Sequence, residues 1–470
     1  MKAYPKKTRF VVWGYGVTGR SLARVLISRG YRVTVIDDRP EDAFVDFTED
    51  MKDLRKKGVR YNFGGVGNLV NFVTKNADVL SPSPGINVPR ELIDACTGAK
   101  IQVSGELEIA YRLVAGRLIA VTGTDGKTTV ATLIHRVMED AGIQVHLAGN
   151  IGEPYIDLAG KTKPDHWIVV EVSSYQLETV RLFRPYIAVL LNIAQDHMER
   201  HRDIRVYTRV KGRIFERQRH SEHSIINFDD PACLQAYGKS LGKIHGFSLA
   251  GKISGGAWRN GIELYIDTEN KPVPIMKLSD LKIHGDHNHL NVLASIMACK
   301  LAGCEDDSIR TSISEFQGLP HRIETVGESN EVLWVNDSKA TNIHATISAI
   351  KCFDRPIILL LGGYDKGLDL IELIPYIKEK VKHVVLLGNT RSRFKRALKE
   401  YSYKEITSRK TLAEACSAAK SLCAPGDVVL LSPASSSFDQ FGNYMERGDS
   451  FRSWVQKKAL RQKDEERTIE

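Results

Sequence analysis

The chain has 470 residues, 42% of them hydrophobic and 26% charged, with a formal net charge of +9. This is the composition of a soluble globular protein, too long for one ordinary core, so two to four domains are expected. No apolar run is long enough to cross a bilayer, there is no signal-peptide pattern, and the basic residues are spread along the chain, which suits small anionic substrates at least as well as nucleic acid.

Seven scattered cysteines, odd in number and without a C-x-x-C pair, read as free thiols in a reducing cytoplasm. In chain order, an apolar strand over residues 10–13 enters Gly14-Tyr15-Gly16-Val17-Thr18-Gly19, and a helix runs on through Ile27. A second strand over 32–36 ends in Asp37-Asp38-Arg39. This is a dinucleotide fingerprint, with an acid about twenty residues after the glycines to bond a ribose or a base. A nicotinamide dinucleotide fits it, and so does another nucleotide such as a UDP group. Asp78-Val79-Leu80 leads into Ser81-Pro82-Ser83-Pro84-Gly85, a rigid loop at a strand's carboxyl end, where ligands of open α/β sheets sit. A structural turn explains it equally well.

The second segment begins with a buried strand, Leu118-Ile119-Ala120-Val121, then Thr122-Gly123-Thr124-Asp125-Gly126-Lys127-Thr128-Thr129, then a helical pattern over 130–138. Strand, glycine turn and helix N-terminus form a phosphate cradle, to which the lysine adds a full charge. The complete Walker A pattern needs a glycine at the position of Val121, so only the shorter G-x-x-G-K-T form is met. Strand 167–170 ends in Glu171, a hard oxygen donor beside the cradle and a candidate magnesium ligand. Strand 187–191 ends in Asn192-Ile193-Ala194-Gln195-Asp196-His197. Three successive strands thus end in a phosphate loop, a glutamate and an Asp-His pair, which argues for one shared site. Residues 207–215 are helical in pattern, and Lys211 within them reads as a surface charge. Residues 239–282 look like a β-rich insertion. Asn288 and Asn291 share one face of the following helix, to hold a base or ribose or to cap the helix.

From about Gly318, strands over 331–335, 356–361, 383–387 and 428–431 alternate with helices, predicting a second doubly wound sheet with polar loops at its strand ends. The charged tail after about Lys457 lacks an apolar pattern and is expected to fray.

Taken together, the motifs at residues 123–129, Glu171, 192–197, Lys211, Asn288, Asn291, Arg322 and Asp337 resemble the set shared by Mur ligases and folylpolyglutamate synthases. The stretches 173–178, 336–342, 432–434 and 439–441 resemble the Mur ligases that add D-glutamate. The resemblance spans nearly the whole chain and implies an α/β protein of three domains. Residues 1–114 would be a Rossmann-like UDP-substrate domain. Residues 115–317 would be a central P-loop ATPase-like domain with a parallel sheet and a small β-rich part. Residues 318–470 would be a Rossmann-like doubly wound domain for D-glutamate. The implied reaction adds D-glutamate to UDP-N-acetylmuramoyl-L-alanine through an acyl phosphate, in the cytoplasmic stage of peptidoglycan synthesis. It consumes ATP with two Mg²⁺ ions, involves no nucleic acid or membrane span, and is expected of a monomer.

By the same resemblance, Gly123, Thr124, Asp125, Gly126, Lys127, Thr128, Thr129, Asn288, Asn291, His321, Arg322 and Asp337 hold ATP. Thr128 and Glu171 take one Mg²⁺, and His197 and Lys211 take the second. Lys211 would carry a carbamate, because an ammonium repels a metal. Val17, Thr18, Asp37, Asp38, Arg39, Ser83, Pro84, Gly85, Asn150, Ser173, Gln176 and His197 would bind the UDP-substrate. Thr341, Lys366, Ser437, Phe438 and Tyr444 would bind D-glutamate. Lys127, Glu171, His197 and Lys211 form the catalytic set, and a site shared between domains implies closure on binding. Asp125 departs from the family, where Asn is common. Other readings are another Mur ligase, a folylpolyglutamate synthase, an NAD(P)-dependent oxidoreductase resting on Gly14, Gly16, Gly19 and Asp37, or a P-loop switch that hydrolyses ATP without making a bond.

Overall fold

The computed structural model describes residues 3–196, 198–238, 240–267, 271–283, 285–365, 367 and 369–460. Its strands form three sheets. Apolar runs bounded by glycine and polar loops become strands covered on both faces, as parallel sheets require. Ile357–Gly362, for example, is buried at every position.

The first sheet is wholly parallel, in the order Arg60–Phe63, Arg32–Asp37, Arg9–Trp13, Val79–Pro82, Gln102–Val103. Strand order reverses between Arg9–Trp13 and Val79–Pro82, so a crevice opens where their carboxyl ends diverge. Gly14 and Ser83 face each other there. A Cβ on Gly14 (φ +99°) would lie 2.6 Å from Ser83 Oγ. A Cβ on Gly19 would lie 1.9 Å from the Gly14 carbonyl, so the helix can approach the loop only because position 19 is glycine.

The second sheet has nine strands, in the order Val145–Gly149, Trp167–Glu171, Arg117–Thr122, Ile187–Leu190, His223–Asn227, Lys243–Ser248, Ala257–Asn260, Glu263–Ile266, Val273–Lys277. The β-rich stretch expected as an insertion is a continuation of this sheet. Lys243–Ser248 and Ala257–Asn260 add parallel strands, and only the last two pairings are antiparallel. Both sheets belong to one compact unit, Met1–Asp280 with Leu290–Ser314, and share one apolar cluster.

The other compact unit is Leu281–His289 with Glu315–Glu470. Its sheet runs Glu324–Ser329, Val332–Asn336, Val428–Leu431, Ile357–Gly362, Val381–Leu387, Ile406–Ser408, parallel except for the first hairpin. Apolar clusters cover both of its faces. Among the described residues, no helix is long and apolar enough to cross a membrane.

Candidate active site

The phosphate loop forms between strand Arg117–Thr122 and helix Lys127–Asp140. Gly126 caps the helix at φ +81°, a left-handed position that suits glycine, and a Cβ there would meet Asn291 Oδ1 at 2.3 Å. Asn192, at the end of the neighbouring strand, pins the loop. Its Oδ1 accepts the backbone N–H groups of Thr124 (3.1 Å) and Asp125 (2.8 Å). Its amide nitrogen donates to the Asp125 carbonyl at 3.2 Å. Lys127 Nζ arches over the loop and donates to the carbonyls of Gly123 (3.0 Å) and Thr124 (2.6 Å). Thr128 and Thr129 follow in the first helical turn.

Register sets Glu171 beside this loop. It pairs with Val121 on one side and Gly149 on the other. Glu171 Oε1 accepts from Asn150 Nδ2 at 2.8 Å, while Oε2 is buried and hydrogen-bonded to none of the described groups. A buried carboxylate oxygen without a donor is costly, and a hard divalent cation satisfies it. No group of three or more His, Cys, Asp and Glu gathers among the described residues. Phosphate oxygens and water would therefore complete the shell, as Mg²⁺ prefers. The orphaned Glu171 oxygen fits such an ion.

Lys211 corrects the surface reading. It lies on helix Ile204–Gly212, is 1% exposed, and donates to the Gly123 carbonyl at 2.7 Å. Burial, and then repulsion from Lys127, holds its amine well below lysine's usual pKa, against the opposing pull of Asp196 and Asp125. His197 lies outside the described residues.

Ser173 and Gln176 form a capping box after Glu171. Gln176 Oε1 accepts from Ser173 N and Ser173 Oγ, both at 2.9 Å. In the first sheet, Asp37 Oδ2 accepts the Tyr15 N–H at 2.8 Å, and Arg39 grips both carboxylate oxygens at 3.0 and 2.9 Å. Asp37 therefore arranges its own loop, while Asp38, Pro84's neighbour Gly85 and Val17 are exposed, and Thr18, Ser83 and Pro84 are half-buried.

In the second unit, His321 and Asp337 are buried and Arg322 is half-buried. Asp337 accepts from Ser432 Oγ at 2.8 Å and His321 Nδ1 lies 3.0 Å from Asn336 Nδ2. Thr341 is half-buried, Ser437 is buried and Phe438 is exposed. Tyr444 opens helix Tyr444–Lys458 with Lys339 Nζ 4.0 Å from its ring centre. Lys366 lies outside the described residues. Asn288 and Asn291 share helix Asp286–Ala302. The structure thus gathers residues 123–129, Asn150, Glu171, Asn192, Lys211 and Asn291 around one loop. The candidate D-glutamate residues belong to the other unit.

Arg447 and Glu106 are among the buried charged residues that the sequence reading passed over. Arg447 donates to Ser338 Oγ (2.9 Å), Ser338 O (2.7 Å) and Ser435 O (3.0 Å), tying two strand-end loops together. Glu106 accepts the Ile156 N–H at 2.6 Å. Nothing in their local sequence sets either apart from ordinary helix-surface charge.

A parallel sheet whose P-loop-like turn carries a lysine, beside a buried strand-tip carboxylate, defines a nucleotide-using α/β protein. Family models agree in finer detail. A MurD-like N-terminal domain of Mur ligases matches residues 8–105, the Mur ligase middle domain matches 121–299, and the Mur ligase glutamate ligase domain matches 321–435. The chain belongs to the Mur ligase family. It is 38% identical to a UDP-N-acetylmuramoylalanine–D-glutamate ligase of Caldanaerobacter subterraneus subsp. tengcongensis, over 96% of this chain and 98% of that one. It is also 38% identical to the enzyme of that name from Acidobacterium capsulatum, over 96% of each. Among solved structures it shares its fold with a pseudomurein peptide ligase type C from Methanothermus fervidus (TM-score 0.57, 18% identity, 96% and 99% covered). The fold is also that of the MurF ligase from Thermotoga maritima in complex with ADP (TM-score 0.57, 17% identity, 96% of each).

Proposed function

We propose that this chain joins D-glutamate to UDP-N-acetylmuramoyl-L-alanine at the expense of ATP, in the cytoplasmic stage of peptidoglycan synthesis. The observation that carries the reading is the full-length likeness to D-glutamate ligases, together with a lysine-bearing phosphate loop set beside Glu171. ATP dependence belongs to the Mur ligase family as a whole.

A carboxylate is a poor electrophile. The alanyl carboxylate oxygen therefore attacks the γ-phosphorus, the bond to the bridging oxygen breaks, and ADP leaves. The uncharged amine of D-glutamate then attacks the acyl carbon, phosphate departs with the C–O bonding electrons, and the nitrogen releases a proton to leave the neutral amide. Positioning and charge neutralisation dominate such transfers. Lys127, released from the loop carbonyls, would hold the β- and γ-phosphates while the loop N–H groups and the helix dipole cradle them. Mg²⁺ supplies charge neutralisation at the phosphate oxygens. Glu171 and Thr128 would hold one ion, and Lys211 with His197 the other.

A carbamate on Lys211 needs an uncharged amine, which attacks CO₂ to give R–NH–COO⁻ and a proton. The burial of Lys211 beside Lys127 supports such an amine. A carbonyl carbamate signal from ¹³C-bicarbonate that is absent in Lys211→Arg supports this, and its absence in active, Mg²⁺-loaded enzyme overturns it.

The substrate assignment is tested by ADP release with D-glutamate set against L-glutamate, L-lysine, meso-diaminopimelate and D-alanyl-D-alanine. Only D-glutamate is expected to support turnover. Turnover with another acceptor and none with D-glutamate moves the chain to a sister ligase. ADP release independent of both substrates favours a switch-like ATPase.

A further inference from the structure

The turn over residues 83–86 follows strand Val79–Pro82 at its carboxyl end, where the crevice of the first sheet opens. The Ile86 N–H donates to the Ser83 carbonyl at 2.9 Å, and Pro84 at the second position presets the backbone. The start of the turn is tied to the first sheet, because the Ser83 N–H donates to the Trp13 carbonyl at 2.8 Å. Its inner side is seated on the glycine loop. A Cβ on Gly14 would meet Ser83 Oγ at 2.6 Å and Ile86 Cδ1 at 3.1 Å. The end of the turn is held from the second sheet's side. Arg200, on the short helix Met198–His201, donates through Nη2 to the Ile86 carbonyl at 3.0 Å.

Arg200 is itself fixed. Its Nε donates to Glu178 Oε1 at 3.1 Å and its Nη2 to Glu178 Oε2 at 2.6 Å, a side-on fork that sets the plane of the guanidinium. Nη2 carries two hydrogens, so one serves Glu178 and the other Ile86. Glu178 follows the short helix Ser174–Leu177, and its own carbonyl accepts from Arg213 Nη1 at 2.5 Å. Arg213 in turn caps helix Ile204–Gly212, which carries Lys211. The side chains of Arg200 and Glu178 are only 13% and 24% exposed, so water competes little for the pair. We infer that Arg200 is a positioning residue: held flat by Glu178, it fixes the turn over residues 83–86, and with it the rim of the first sheet's crevice, against the elements that carry the catalytic set. This rests on the reading of Ser83, Pro84 and Gly85 as contacts of the UDP-substrate, and it gives that substrate's loop an anchor outside its own sheet.

A lysine at position 200 keeps the charge and loses the fork, so it can meet Glu178 or Ile86 but cannot hold both in one plane. Arg200→Lys is expected to raise the KM for UDP-N-acetylmuramoyl-L-alanine about tenfold, with kcat and the KM values for ATP and D-glutamate within about twofold of wild type. The Kd of the same substrate, measured by calorimetry on nucleotide-free enzyme, should rise by the same factor. Glu178→Gln leaves Arg200 in place but loosens it, and should shift the same constants in the same direction by less. Because both exchanges act through one contact, the double variant should be no worse than Arg200→Lys alone within about twofold. An unchanged Kd and KM in Arg200→Lys overturns the inference. So does a loss spread equally over all three substrates with a lowered Tm, or a double variant whose losses multiply. A wild-type enzyme that fails with D-glutamate overturns the functional reading alone, since the Kd comparison needs no acceptor. A wild type that binds no UDP-substrate overturns both.

Discussion

Two loops in the first compact unit have the same plan: a buried strand, a glycine turn and a helix N-terminus. They differ in how charge is handled. At Gly14–Gly16 the loop is neutralised from within, since Asp37 takes the Tyr15 N–H and is itself gripped by Arg39. Gly16 has no neighbour within 4 Å of a notional Cβ, so a ligand can approach its backbone. At residues 123–129 two lysines converge instead. Lys127 and Lys211 both donate to the Gly123 carbonyl, and their mutual repulsion acts on the buried Lys211 amine against the pull of Asp196 and Asp125. The first arrangement suits holding a diphosphate that does not react. The second suits a phosphoryl group whose charge shifts during reaction, where preorganised positive charge acts without reorganising. The likeness of the two loops is one of backbone, and their difference lies in side chains supplied from elsewhere in the chain.

The largest expected effect tests the convergent charge. Lys127→Ala should lower kcat for D-glutamate-dependent ADP release by about 10³-fold or more. The KM for the UDP-substrate should hardly move, because the first loop is intact. A loss of less than tenfold would mean that Lys127 stays on the loop carbonyls during turnover. Next comes the glycine contrast. Gly126→Ala places a methyl at 2.3 Å from Asn291 Oδ1 on a φ of +81°, and should raise the KM for ATP by roughly 10²-fold. Gly16→Ala has open space and a φ of −81°, so it should leave Tm unchanged while raising the KM for the UDP-substrate alone. If both glycine variants affect ATP, the two loops are not separate stations.

Much of this was legible in the sequence. Buried parallel strands are written as unbroken apolar runs, and glycines mark the turns between them, so the phosphate loop, Glu171 and Asn192 could be placed at strand ends before any coordinates. What the sequence hid is burial decided at long range. Lys211 sits in a helical pattern like any surface lysine, and it is buried only because the Gly123 carbonyl, 88 residues away, meets it. Glu106 reads as an ordinary acidic first turn, favourable to the helix dipole. Its partner, the Ile156 N–H, is supplied by a 3₁₀ turn 50 residues further along the chain. Asp37 was legible as an acid with work to do, but its pairing with Arg39 two residues on was not.

A smaller effect is expected from Asn192→Ala. It removes the acceptor of two loop N–H groups, at 3.1 and 2.8 Å, and should raise the KM for ATP about tenfold. The Thr124 N–H keeps the Asn192 backbone carbonyl at 3.0 Å and the Asp125 N–H can turn to water, so the loss in kcat should stay well short of that in Lys127→Ala. Equal losses would make loop rigidity, and not lysine charge, the distinguishing feature of the second loop.

The smallest effect is one of stability, and it tests whether the first loop neutralises itself. Burial raises the Asp37 pKa, but the Arg39 guanidinium and the N–H groups of Tyr15 and Arg39 outweigh it, so the net shift is below the usual aspartate value. A depressed folded-state pKa contributes stability that is present above the unfolded pKa of about 3.9. That contribution is lost as pH falls through the folded value, since the unfolded chain takes up the proton first. Asp37→Asn should therefore lower Tm at pH 7 by about 2 °C, and the gap from wild type should close as pH drops below about 4. The equivalent gap for Lys211→Met should not follow that course, because the buried amine of Lys211 is disfavoured as a cation rather than stabilised as an ion. Parallel pH profiles for the two variants would show that both loops balance charge in the same way, and the distinction between a holding loop and a transferring loop would fail on its electrostatics.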